Sequence, residues 1–268
     1  MGKNTVVWLA TIVITLSSVY YQRITNPNLP LYRDISINGK TIDVQFPQSH
    51  DTGTAAPIMI PVGDESVSGE LQYRRVRSHD EWTRISMENR NGNLTGYLPP
   101  QPAAGKIMYL VFLIHEDGSR QSLTEAPVVL RYKGYIPLYL LLPHILLMFA
   151  SMLISTRTGL EAVVQGPRTR VFAWWTLGLL SAGGLILGPI VQKFAFDAYW
   201  TGLPFGHDLT DNKTLIAVLG WVLALWKNRI PDEKNRKWYW IAAIIHLAVY
   251  MIPHSALGSE LDYTGLPS

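Results

Sequence analysis

The chain has 268 residues, 48% of them hydrophobic and 16% charged, with a formal net charge of +3 and no cysteine. The missing cysteine excludes a disulfide, a thiolate zinc site, a cysteine-ligated iron–sulfur cluster and a cysteine-attached haem, so any metal would rest mainly on His, Asp or Glu. The small positive charge is no pointer to nucleic acid, because in the second half Lys and Arg collect mainly in two short stretches between apolar runs, where membrane topology accounts for them.

The first predicted element is Thr5 to Tyr21 (TVVWLATIVITLSSVYY), an uncharged run between Lys3 and Arg23. Its length is close to the minimum for crossing a bilayer. A signal peptide is the competing reading, but no small-x-small cleavage pattern follows the run. Residues 1–23 are therefore expected to be an uncleaved anchor, with Lys3 in the cytoplasm and the chain emerging on the far side.

Residues 24–134 are expected to form an exported domain. From about Ser36 the pattern turns to short alternating runs: Thr41 to Phe46, Ser68 to Val76, Trp82 to Met87, Leu94 to Leu98, Lys106 to Ile114 and Ala126 to Tyr132. Period-two alternation at this spacing predicts an all-β sandwich. Asn91-Gly92 and Asp117-Gly118 fall between neighbouring runs, where hairpins need turn residues.

The run Tyr73-Arg74-Arg75 followed by Trp82, the proline-marked stretch Leu98 to Tyr109 and the segment Gly118 to Val129 resemble a fibronectin type III or related immunoglobulin-like domain. The likeness covers roughly residues 36–134 and lacks that family's early-strand tryptophan. It implies a domain that binds or spaces and carries no chemistry of its own. Arg74, Arg75 and Arg77 then read as solvated strand residues. Asn93-Leu94-Thr95 and Asn212-Lys213-Thr214 match the glycosylation acceptor pattern, which matters only in a eukaryotic secretory pathway.

Residues 135–268 read as a four-helix transmembrane bundle with an extracytoplasmic tail. Tyr135 to Ser155 is the second span and holds His144; Val171 to Val191 is the third, with Gly184-x-x-x-Gly188 and the neighbouring Ser181, Ala182 and Gly183 forming a face for close helix approach. The uncharged run Leu215 to Trp226 is too short to cross about 30 Å of hydrocarbon at about 1.5 Å per residue. Its helix must therefore begin near Leu209, with Asp211, Asn212 and Lys213 in the first turn. Trp238 to Ile252 is the fifth span. Loops 156–170 and 227–237 carry Arg157, Arg168, Arg170, Lys227, Arg229, Lys234, Arg236 and Lys237, which sets them on the cytoplasmic side. The fold class is thus five transmembrane helices with an all-β immunoglobulin or fibronectin III-like sandwich inserted between the first and second.

This topology delivers loop 192–213 and the tail from His254 to one face. A polar site at the outer face is expected from Asp208, Asp211, Asn212, Lys213, His254, Ser255 and Glu260. Within it, His207, Asp208, Asp211, His254 and Glu260 have the donor chemistry for a divalent metal. Capping by Asp208 or Thr210, with an ion pair from Lys213 to Asp211 or Glu260, explains the same residues structurally. His144 and His246 fall at similar depth and suit one bis-histidine b-type haem or a quinone contact, or two unrelated histidines bonded to neighbouring helices. Pro143 frees a backbone carbonyl near the first of them. A serine hydrolase on Ser255 or Ser259 lacks a Gly-x-Ser-x-Gly elbow.

The leading expectation is an accessory or anchoring subunit of a membrane complex in a bacterial inner membrane, contacting the bilayer and other membrane or periplasmic subunits. The alternative is a cofactor-bearing membrane protein, either a metal-dependent enzyme at the outer face or a single-haem or quinone electron-transfer subunit.

Overall fold

The computed structural model describes residues 2–26, 29–37, 40–115, 118–230, 232–253 and 260–265. Two compact units emerge: a helical one of residues Met1–Pro27, Ile136–Phe194 and Ala198–Ser259, and a β-rich one of Asn28–Tyr135, Ala195–Asp197 and Glu260–Ser268.

In the β-rich unit, β1 (Leu31–Ile37) and β2 (Lys40–Phe46) form an antiparallel pair. Eight further strands follow: β3 (Ser49–Asp51), β4 (Ala56–Pro61), β5 (Ser68–Arg75), β6 (Thr83–Arg90), β7 (Asn93–Leu98), β8 (Lys106–Ile114), β9 (Arg120–Ser122) and β10 (Val128–Lys133). Their order is β3-β10-β8-β5-β6-β7-β4, with β9 beside β8. All pairs are antiparallel except β3 with β10. The sandwich expectation calls for two facing sheets, whereas the pairing here is one continuous path, nearly closed on itself. The cause is β6, which gives residues 83–87 to β5 and residues 88–90 to β7, so one strand belongs to both walls.

Alternation explains the core. Along β8, Ile107, Tyr109, Val111 and Leu113 all point inward and are fully buried, and they meet Ala56, Ile58 and Ile60 of β4, Leu94 and Leu98 of β7, and Val128, Leu130 and Tyr132 of β10. Ile35, Ile37, Val44 and Phe46 add the β1–β2 pair to the same cluster. Each large apolar side chain buried this way contributes roughly 1.5–3 kcal/mol. Tyr109 and Tyr132 stay inside because their hydroxyls donate to the Pro47 and Pro99 carbonyls at 2.9 and 2.8 Å. Burial pushes the Tyr109 phenol well up and the Tyr132 phenol up to about 12. At the β6–β7 turn Asn91 and Gly92 both take positive φ, 52° and 73°, as a type I′ hairpin requires.

Arg74 and Arg75 are half-buried and engaged where solvated strand residues were expected, and Arg77 is exposed but also paired. Arg75 holds Asp80 through two bonds of 2.7 Å and lies over the Tyr263 ring, Arg74 lies over Trp82, and Arg77 pairs with Glu260 and Asp262.

The helical unit contains α1 (Lys3–Ile24), α2 (Leu138–Val163), α3 (Thr169–Leu180), a π-helical segment (Ser181–Leu187), α4 (Gly188–Phe196), α5 (Leu209–Lys227) and α6 (Lys237–Met251). α3, the π segment and α4 run on as one 28-residue helix, so the described residues form five helices. Three are long and apolar enough to cross a membrane: α1, α2 and Thr169–Phe196. Of the other two, α5 opens with Asp211 and Lys213, and α6 has only 15 residues.

α2 packs against α1, α3 and α6, while α5 packs against α3 and α6. Small and weakly polar residues make the close approaches. The buried stripe of α1 is Val7, Thr11, Thr15 and Ser18, and Thr11 and Ser18 bond back to carbonyls four residues earlier at 2.8 Å. A Cβ on Gly159 would come within 2.7 Å of Ala243 Cβ, one on Gly183 within 3.0 Å of Leu147 Cβ, and one on Gly184 within 2.7 Å of Thr214 Cγ2. The glycine face thus has α2 on one side and α5 on the other.

α2 also corrects the loop assignment, because it continues to Val163 where a loop from residue 156 was expected. Arg157 is a buried residue of this helix, 2% exposed, and pairs with Glu161 one turn on.

Candidate functional site

α5 begins at Leu209, and Asp208 is its N-cap: the Asp208 carboxylate accepts the N–H groups of Thr210 and Asp211 at 2.7 and 3.4 Å. Three residues on, Asp211 turns back toward the preceding loop. Its Oδ2 accepts the backbone N–H of Thr201 at 2.6 Å and of Gly202 at 3.0 Å, together with Gln192 Nε2 at 3.1 Å and the Thr201 hydroxyl at 3.3 Å. Asn212 Oδ1 takes the Leu203 N–H at 2.7 Å. Residues 201–203 therefore hang on the first turn of α5 by three consecutive backbone donors. Gly202 is needed for this approach, since a Cβ there would meet Asp211 Cβ at 2.6 Å. The Phe205 and Gly206 N–H groups close on the Gly202 carbonyl, and the Asp208 N–H on that of Thr201.

The burial of this set is what makes the bonding matter. Asp211 is 5% exposed, and an ionised carboxylate at that depth is tolerated when several donors surround it. Lys213, equally buried, donates Nζ to the Ile252 carbonyl at 2.7 Å and so ties the start of α5 to the end of α6. That carbonyl is the partner found for it, in place of the expected Asp211 or Glu260.

Of the expected site residues, Asp208, Asp211, Asn212 and Lys213 come together on one turn of α5. His207 is exposed beside them. His254 and Ser255 lie outside the described residues, as does Ser259. Glu260 belongs to the β-rich unit, where it accepts from Lys106 Nζ at 2.7 Å and from Arg77. Among the described residues no group of three or more His, Asp or Glu side chains is placed to hold a metal ion.

His144 and His246 are each bonded within the helical unit. His144, half-buried one residue after Pro143, donates its Nδ1 proton to the Gly183 carbonyl at 2.9 Å. That carbonyl also accepts the Gly188 N–H, the five-residue bond that defines the π turn. Trp221, fully buried, donates Nε1 to His246 Nδ1 at 3.1 Å, which leaves the His246 proton on Nε2 in the neutral ring. Each ring thus bonds a neighbouring helix through Nδ1.

A second polar centre, at the junction of α2 and α3, escaped the sequence reading. Arg157 Nη1 pairs with Glu161, Nη2 donates to Asn4 Oδ1 at 2.9 Å, and the guanidinium lies 5.1 Å from the ring centroids of both Trp8 and Phe172. Glu161 also accepts the Arg168 N–H at 3.2 Å. The signal was present as Arg and Glu four residues apart at the end of an apolar run, the spacing of neighbours on one helix face. Comparison with protein-family models, with curated proteins and with solved structures finds no match to the chain.

Proposed function

We propose that this chain is an accessory or anchoring subunit of a membrane protein complex, with five spans and an extracytoplasmic β domain that binds a partner. The observation that carries this reading is the engagement of Asp211. Its carboxylate is filled by four donors, three of them from the loop it holds, so the ionisable groups at the start of α5 serve as anchors. Such a fixed loop presents the exposed side chains of Tyr199, Leu203 and Phe205 outward, a surface suited to a protein neighbour or the headgroup layer.

Support for α5 and α6 as spans comes from their outward faces. Ile216, Leu219 and Val222 of α5 and Ile244 of α6 are between 46 and 56% exposed, which suits lipid and is costly in water. At about 1.5 Å per residue α5 extends about 28 Å, close to a hydrocarbon thickness of about 30 Å. The charged side chains at its start are buried among protein groups, as intramembrane charges generally are. With Arg157 removed from the loops, Arg168 and Arg170 on or beside one connection and Lys227, Arg229, Lys234, Arg236 and Lys237 on or beside the next still gather the basic residues on one side. By the positive-inside rule that side is the cytoplasm, and the natural setting is a bacterial inner membrane.

The test is purification of the tagged full chain from native membranes in mild detergent, with absorption and metal analysis of the same sample. Co-elution with a fixed partner at constant ratio and no Soret band is the expected result. A chain that runs alone and carries stoichiometric metal or haem would overturn the proposal in favour of a cofactor-bearing protein.

A further inference from the structure

Where the start of α1, the end of α2 and the turn at residues 164–168 meet, the helical unit has an open cavity of about 410 Å³, within the range of small-ligand sites of about 300–1,000 Å³. Among its walls are Lys3, Asn4, Arg157, Glu161, Gly166 and Arg168. Three cations face one carboxylate. That carboxylate is already committed, one oxygen to Arg157 and the other to the Arg168 backbone N–H. It is also pressed against Gly166, where any Cβ would collide with it.

Arg157 is the group that points to a ligand. Its side chain is 3% exposed and clamped by Trp8, Phe172, Glu161 and Asn4, yet its buried Nε has no hydrogen-bond partner. A fixed, buried guanidinium donor at a cavity wall, with a second arginine and a lysine beside it, is the donor set that recognises phosphate. The lysine is positioned too, through its Nζ bond to the Val164 carbonyl at 3.3 Å.

We infer that this cavity binds a phosphate group through Arg157, Arg168 and Lys3. α1 and α2 are both apolar enough to cross a membrane, so the cavity lies at helix ends, where lipid headgroups are found. A phospholipid phosphodiester and a soluble phosphate present the same chemistry there. The site is built from the start of α1, the end of α2 and the turn that follows it, and is independent of the subunit reading.

Native mass spectrometry of the purified full chain, after exchange with vesicles of phosphatidylglycerol or phosphatidylcholine, tests the lipid source; thermal unfolding with and without inorganic phosphate tests the soluble one. Retained phosphatidylglycerol in preference to phosphatidylcholine assigns the site to lipid, and a rise in Tm with phosphate but no lipid preference assigns it to soluble phosphate. Because Arg157→Gln also breaks the buried pair with Glu161, the variants are Lys3→Gln and Arg168→Gln, with Arg90→Gln in the β-rich unit as control. Each of the first two is expected to lower occupancy about fivefold, the effect of one cation near an anionic surface, while the control is unchanged. Absence of both lipid preference and phosphate response, or equal loss in the control, overturns the inference.

Discussion

The Asp211 carboxylate and the Thr201 backbone N–H lie 2.6 Å apart, so that one bond joins the first turn of α5 to a loop residue ten positions earlier. The Gly202 N–H and Gln192 share the same oxygen. Asp211→Ala removes the acceptor and leaves buried donors unpaired, at a cost of about 3 kcal/mol. We expect a lower Tm and chymotryptic cleavage at Phe205 at least about tenfold faster, since about 1.4 kcal/mol is a factor of ten. Unchanged cleavage would mean that the loop is held by something else.

Glu161→Gln tests the buried pair. Losing the charge strands Arg157 between Trp8 and Phe172, and breaking a buried ion pair typically costs about 3–5 kcal/mol. Gly166→Ala should act in the same direction, because its methyl group displaces the same carboxylate. Thermal unfolding of both variants in one detergent checks this. A Tm as high as wild type in either would remove the pair from the account of α2.

How closely the helices approach at the π segment is measurable by a double-mutant cycle. Gly184→Ala places a methyl group near Thr214 Cγ2 and should destabilise by about 1–3 kcal/mol. Thr214→Ser removes that methyl and keeps the hydroxyl that bonds the Thr210 carbonyl. The double variant should recover most of the loss, and simple additivity would show that the two residues do not touch.

In the β-rich unit the Arg75 guanidinium bonded to Asp80 holds that carboxyl below the usual carboxylate range. A depressed folded pKa means stability that is present above the unfolded value of about 3.9 and lost as pH falls through the lower folded value. Arg75→Ala should therefore cost about 1 kcal/mol at neutral pH, as expected for a bidentate pair near the surface. The difference between variant and wild type should hold down to about pH 5 and shrink below about pH 4. A gap that stays constant into acid would assign the loss to the Tyr263 contact.

Much of this architecture was legible because burial on one face writes a period into the chain. β8 reads directly from Lys106 to Ile114, and Asn91-Gly92 marks the β6–β7 hairpin. The start of α5 at Leu209 follows from the length a span requires. β4 was hidden, because Pro57 and Pro61 argue against a strand, although Ala56, Ile58 and Ile60 alternate inward from the edge of the sheet. The end of α2 was hidden for the opposite reason: Arg157 and Glu161 look like solvated loop residues until they neutralise each other in the interior. At the candidate site the identity of the acidic and amide residues was visible, but their bonding was not. A carboxylate that accepts backbone N–H groups and one that binds a ligand are the same letter in a sequence.

The central claim is that α5 crosses the membrane with its polar first turn held by protein. The chain has no native cysteine, so single-cysteine variants can be read without background. Labelling Phe205→Cys, Lys234→Cys and Arg90→Cys in intact cells with an impermeant maleimide is the most direct measurement. We predict that Phe205→Cys and Arg90→Cys label from outside, while Lys234→Cys labels only after permeabilisation. Labelling of Phe205→Cys and Lys234→Cys from the same side would contradict it.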